Sequence, residues 1–198
     1  LNENLDKLPD PSLEKLESQR QEAVKLREHA ELLSETLTDF HHQLDAKLIA
    51  LMASQLELSI GLTFNGRLET QQLPDAGEKV SSGIFYLVTT DPRPAAERLD
   101  DIMARLQQVP DFLQKMLTRL DTPVARWVSI ELETIEGLPD FFSTIVSWAE
   151  EEQYTKLEEL KQIVDSACGA FANYSERLGS LPTTTSFSIG RDKAQALV

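Results

Sequence analysis

The stretch that decides the fold is Gly83–Leu113, G-I-F-Y-L-V-T-T-D-P-R-P-A-A-E-R-L-D-D-I-M-A-R-L-Q-Q-V-P-D-F-L. It continues through T-P-V-A-R-W-V (Thr122–Val128) and G-L-P-D-F-F (Gly137–Phe142) to Trp148-Ala149. Proline precedes an apolar helical pattern four times, at Pro92/Pro94, Pro110, Pro123 and Pro139. Proline suits a first helical turn: the N–H it lacks would find no partner there, and its φ is already near the helical value. The segment therefore reads as a relay of short helices with sharp corners. Leu99, Ile102, Met103, Leu106 and Val109 line the first, and Phe112, Leu113, Met116, Leu117 and Leu120 the second. Val124, Trp127, Val128, Ile130, Leu132 and Ile135 line a third that Gly137 ends, and Phe141, Phe142, Ile145, Val146 and Ala149 a fourth.

Downstream, Leu157, Leu160, Val164, Ala167, Phe171, Tyr174 and Leu178 alternate at spacings of three and four, a coiled-coil-like seam closed by Gly179 and Pro182. Intramolecular packing is the expectation for it, with an oligomer zipper as the alternative. After the polar loop Ser180–Ser188, Ile189-Gly190 opens a further helical pattern. Upstream, Ser12 caps a helix with Leu13, Leu16, Ala23, Leu26, Ala30 and Leu33 on one face, and Thr38 is the candidate cap of a second. There Phe40, Leu44, Leu48, Leu51, Leu58 and Leu62 form a stripe widened by Ile49, Met52, Leu56 and Ile60, which predicts burial against more than one neighbour. The short break between them predicts an antiparallel hairpin. Residues 64–82, with Asn65-Gly66, Pro74 and Gly77, read as an irregular stretch, and Ile84–Val88 as a buried helical turn rather than a strand. The expected fold is all-α: an irregular bundle of about eight helices with a long N-terminal hairpin, proline-punctuated short helices and a long C-terminal helix. It spans 1–198 as one domain, or as subdomains 1–79 and 80–198.

At 198 residues and 41% hydrophobic content the chain suits a globular protein that buries roughly 70% of its unfolded surface. The net charge of −14 disfavours nucleic acid, which needs clustered Lys and Arg. From Glu131 to Leu160 there are nine carboxylates against one lysine, read as a solvated acidic face. The single cysteine, Cys168, excludes an intrachain disulfide and leaves the compartment open, cytoplasmic or exported. No apolar run approaches the ~20 residues of a membrane helix.

No residue constellation signals catalysis, cofactor binding or a metal site. The histidines His29, His41 and His42 lack the i, i+4 spacing with glutamate of a zincin helix. His41 and Asp45 share a helix face but supply only two of the three or four ligands a metal needs. Cys168 reads as a packed thiol, Thr183–Ser188 as a loop, and Glu131, Glu133 and Glu136 as exposed glutamates rather than an acid/base set. Trp127, Trp148, Phe141 and Phe142 read as core.

In order and spacing, several motifs resemble the bacterial family called domain of unknown function 885. They are L-P-D-P-S near the start, Q-L-E-L (Gln55–Leu58), G-I-F-Y-L-V-T-T-D-P-R-P-A-A-E-R-L, R-L-Q-Q-V-P-D-F-L, W-V-S-I-E-L-E-T-I-E-G-L-P-D-F-F, Y-S-E-R-L and S-I-G-R-D-K. The resemblance covers nearly the whole chain, as the N-terminal third of that family. It implies a zinc-dependent peptidase of the H-E-x-x-H kind in the longer protein, with zinc and a peptide substrate held elsewhere. This chain, which starts at Leu1 and ends in mid-pattern, is then expected to be a helical N-terminal part, monomeric, whose partner is the remainder of its own polypeptide. The other class of function weighed is a standalone helical interaction or dimerisation module.

Overall fold

The computed structural model describes residues 4–191 and 194. The helix expected from Ile189-Gly190 lies mostly outside them. Eight α-helices occur among the described residues, and the only strands there are two of two residues each. The fold is all-α, with an N-terminal hairpin and a long last helix. The chain forms two compact units, one of Leu1–Asp10 with Leu73–Thr185, the other of Pro11–Gln72 with Ser186–Val198.

In the second unit, α1 (Leu13–Thr36) and α2 (Phe40–Ile60) form the antiparallel hairpin. Ser12 caps α1, its hydroxyl accepting the Lys15 amide at 3.3 Å. The cap of α2 is Asp39, one residue after the expected Thr38; its carboxylate accepts the His42 amide at 3.0 Å. The seam between the helices differs from expectation. Ala23, Ala30, Ala46 and Ala53 are its buried residues, two per helix at seven-residue spacing, so the backbones close on methyl groups. The predicted broad burial of α2 does not occur: Leu44, Leu48, Leu51, Met52 and Leu58 are each more than 50% exposed. Small side chains at the contact bring the two helices together while the leucines point elsewhere.

The stretch expected to be irregular is ordered in both its halves. β1 (Thr63–Phe64) and β2 (Arg67–Leu68) pair antiparallel about Asn65-Gly66, whose φ values of 51° and 81° supply the left-handed turn that such a tight hairpin needs. Buried Gln72 closes this ribbon, its side-chain amide donating to the Phe64 and Arg67 carbonyls at 3.0 and 3.2 Å. From Ala76 the chain is already helical.

The first unit holds α3 (Ala76–Thr89), α4 (Ala95–Gln107), α5 (Val109–Arg119), α6 (Ala125–Glu136), α7 (Leu138–Glu151) and α8 (Leu157–Gly179). Ile84–Val88 is helical, as the sequence indicates. Pro110 and Pro139 lie in the first turns of α5 and α7, Pro94 is the N-cap of α4, and Pro123 directly precedes the N-cap of α6. The α8 seam is the spine of this core. Leu160, Val164, Ala167, Phe171, Tyr174 and Leu178 are buried, and α8 packs on α4, α5, α6 and α7. The N-terminal lead-in lies along α4 and its end: the Arg105 Nε donates to the Leu5 carbonyl, and the Gln108 side chain bonds the Leu8 amide and the Asp6 carbonyl. After α8 the chain returns beside α6, where the Ala125 amide donates to the Thr184 carbonyl at 2.8 Å.

Candidate functional site

Polar groups inside an apolar core mark where a fold does more than pack, and the first unit contains such a cluster on the inner face of α6. Val128, Glu131 and Ile135 lie three and four residues apart on α6, so Glu131 belongs to the buried face of its helix. It is 3% exposed, whereas the sequence suggested a solvated glutamate; Glu133 and Glu136 are exposed. A glutamate set into the apolar stripe goes inward with it, whatever its own preference.

The Glu131 carboxylate accepts the Gly77 amide at 2.8 Å, in the first turn of α3. Helix N-termini carry unpaired N–H groups and a positive partial charge, which suits a carboxylate. Burial nevertheless dominates and pushes the Glu131 carboxyl up to about 7; the Gly77 and Ala76 amides oppose this, and the negative charges of Asp75 and Glu78 add to it. Asp75 is held in turn by Arg119 from the end of α5 at 3.0 Å and by Lys79 at 2.8 Å. Arg119 also donates to the Leu73 carbonyl at 3.1 Å. Two of its nitrogens, Nε and Nη1, are buried without a partner, and so is the Tyr174 hydroxyl on α8. Tyr174 is 1% exposed; burial, Glu131 and Asp75 raise its pKa, while Arg119 opposes them.

Two recesses lie elsewhere among the described residues. One, of about 230 Å³, lies between α5 and α8, lined by Pro110, Leu113, Leu117, Asn173 and the Arg177–Gln114 pair, hydrogen-bonded at 2.8 Å. The other, also of about 230 Å³ and mostly apolar, lies between α1 and α2, lined by Leu26, Leu33, Ile49, His29, His42 and Asp45. His42, not His41, faces this recess with Asp45; the His41 ring packs edge-on against Phe40. No group of three His, Cys, Asp or Glu side chains among the described residues is arranged to hold a metal ion.

Cys168 is half-buried beside the core, and burial raises its thiol pKa. Phe142 is fully buried; Phe141 and Trp148 pack against the core, and the Arg98 guanidinium stacks on Trp148 at 4.8 Å. No described helix is long and apolar enough to cross a membrane.

A family model described as "Bacterial protein of unknown function (DUF885)" matches residues 2–195. Neither a curated protein nor a solved structure matches the chain.

Proposed function

Because the chain belongs to the bacterial DUF885 family, we propose that it serves as a helical, non-catalytic part of a metallopeptidase-like protein. It packs against the catalytic part and contributes a wall of its substrate cleft. The observation that supports this reading most is the face of α2. Leu44, Leu48, Leu51 and Leu58 recur at helix-seam spacing with more than half of each side chain in water. An apolar surface of that regularity costs solubility unless another surface covers it. Zinc and the H-E-x-x-H helix belong, in this reading, to the part outside residues 1–198. There the metal would activate water with a glutamate as base.

The test is to express the chain alone and joined to the sequence encoded after Val198. The isolated chain is expected to bind a hydrophobic dye, to sediment as a monomer and to lack peptidase turnover. The longer product is expected to lose dye binding and to hold zinc. A reading frame that stops near Val198, or zinc held stoichiometrically by residues 1–198 alone, would overturn the proposal.

The same face of α2 favours a second reading, an interaction module that docks a partner helix in a groove. Its seat is α2 rather than the α8 seam, which is spent in the core. A stable dimer of the isolated chain, dissociated by Leu48→Lys without loss of helicity, would select it over the first.

A further inference from the structure

Glu131 joins α6 to the first turn of α3 through the bond it accepts from the Gly77 amide, and the two elements meet closely there. A Cβ on Gly77 would stand 3.0 Å from the Thr134 Cγ2 and 3.5 Å from a Glu131 carboxylate oxygen. Around that carboxylate the charges are badly matched. Asp75 and Glu78, at the start of α3, repel it, while Lys79 and Arg119 are drawn to Asp75. Three buried donors of the same cluster, Arg119 Nε and Nη1 and the Tyr174 hydroxyl, have no acceptor.

We propose that this junction is a proton-operated latch: neutral Glu131 seats the first turn of α3 against α6, and its ionised form releases that turn. A negative charge left in a site closed to water must gain solvent or donors. The part best placed to yield is the α3 start, held to α6 by the Glu131 bond and by side chains lying over Gly77. Opening it admits water to the carboxylate and to the Arg119 and Tyr174 donors together.

The sign follows from linkage. A buried acid whose folded pKa lies above its unfolded value favours folding at low pH, and that contribution is lost as pH rises through the folded value. With the carboxyl raised from 4.5 to about 7, the folding constant falls on the order of 100-fold between about pH 4.5 and pH 8 relative to a Glu131→Gln chain. Gln keeps the shape and the neutral charge of the acid form.

The experiment is amide hydrogen exchange at Ala76 and Gly77 across that range, in wild type and in E131Q, corrected for the intrinsic pH dependence of exchange. A ¹³C NMR titration of the Glu131 carboxyl in the wild-type chain accompanies it. Protection of both amides is expected to fall at least tenfold between about pH 5 and pH 7 in wild type and to level off above that, and to stay level throughout in E131Q, with the carboxyl titrating near 7. A carboxyl that titrates below about pH 5 overturns the proposal. So does a wild-type protection profile that stays flat, or one that E131Q shares. Should E131Q fail to fold, the wild-type titration and exchange profile decide alone.

Discussion

Gly77 and Thr134 face each other across the α3–α6 crossing so closely that a Cβ on Gly77 would lie 3.0 Å from the Thr134 Cγ2 and 3.4 Å from the Ile135 Cγ1. Gly169, in the middle of α8, is the opposite case, with nothing within 4 Å of where its Cβ would stand. Helix propensity favours replacing either glycine, by up to about 1 kcal/mol for alanine. Gly169→Ala should therefore raise stability by about 0.5–1 kcal/mol. Gly77→Val should lower it by roughly 1–3 kcal/mol, since overpacking outweighs propensity. Urea midpoints of the two variants check the pair, and equal midpoints would refute the close crossing.

The two seams of leucines should respond differently to truncation. Leu160 is fully buried in the α8 spine, so Leu160→Ala should cost about 2–5 kcal/mol. Leu48→Ala on α2 removes a side chain already half in water and should cost less than about 1 kcal/mol. In the hairpin the sensitive positions are the small ones. Ala30→Leu or Ala53→Leu should force α1 and α2 apart and cost roughly 1–3 kcal/mol. Thermal unfolding of the three classes, read in parallel, tests the alanine seam directly.

That contrast also marks how far the sequence could be read. The α8 spine was legible because its seven apolar positions leave one outcome, a buried stripe, and Gly179 and Pro182 punctuate it. The relay of short helices was legible from proline chemistry at Pro94, Pro110, Pro123 and Pro139. The hairpin was legible as a hairpin but not in its packing, because leucines outrank alanines in any hydrophobic pattern while close approach of two backbones selects the alanines. The β1–β2 ribbon was carried by Asn65-Gly66, a strong turn signal flanked by too few alternating residues to declare strands. The burial of Glu131 is hidden in the sequence for a related reason. Beside Glu133 and Glu136 it looks like part of a charge run, whereas its spacing from Val128 and Ile135 places it on the inner face.

Acid should loosen the corner before α4. Asp91 is buried there, and the Arg93 guanidinium grips it at 2.7 Å, with further bonds from the Arg93 amide and from Arg93 to Asp101. The Arg93 side chain and amide hold the Asp91 carboxyl below its usual 3.8. A carboxylate lowered in the folded state stabilises above its unfolded pKa, and that contribution is lost as pH falls through the folded value. Stability of the wild-type chain relative to Asp91→Asn should thus be level above about pH 5 and shrink as pH falls below about 4. Denaturation of both chains from pH 6 to acid measures it. An unchanged difference at the lowest pH would mean that the Arg93 grip does not favour the ionised form.

The end of α3 should depend on Arg98, which serves two neighbours at once. Its Nη1 donates to the Leu87 and Val88 carbonyls at 3.2 and 2.8 Å, groups that the last turn of a helix leaves without amide partners. Its guanidinium meanwhile lies 4.8 Å from the centre of the Trp148 ring on α7. A cation at a helix C-terminus is worth about 0.3–1 kcal/mol, and one over a tryptophan face about as much again at a partly exposed site. Arg98→Ala should therefore cost about 1–2 kcal/mol. Arg98→Lys should recover only part of this, because an ammonium is a compact point charge without the planar fork that reaches carbonyls and ring together. Trp148→Leu separates the two roles. If the ring contact matters, replacing Arg98 should cost less in the W148L background than in wild type. A double-mutant cycle that closes to zero would assign the whole effect to the carbonyls of α3.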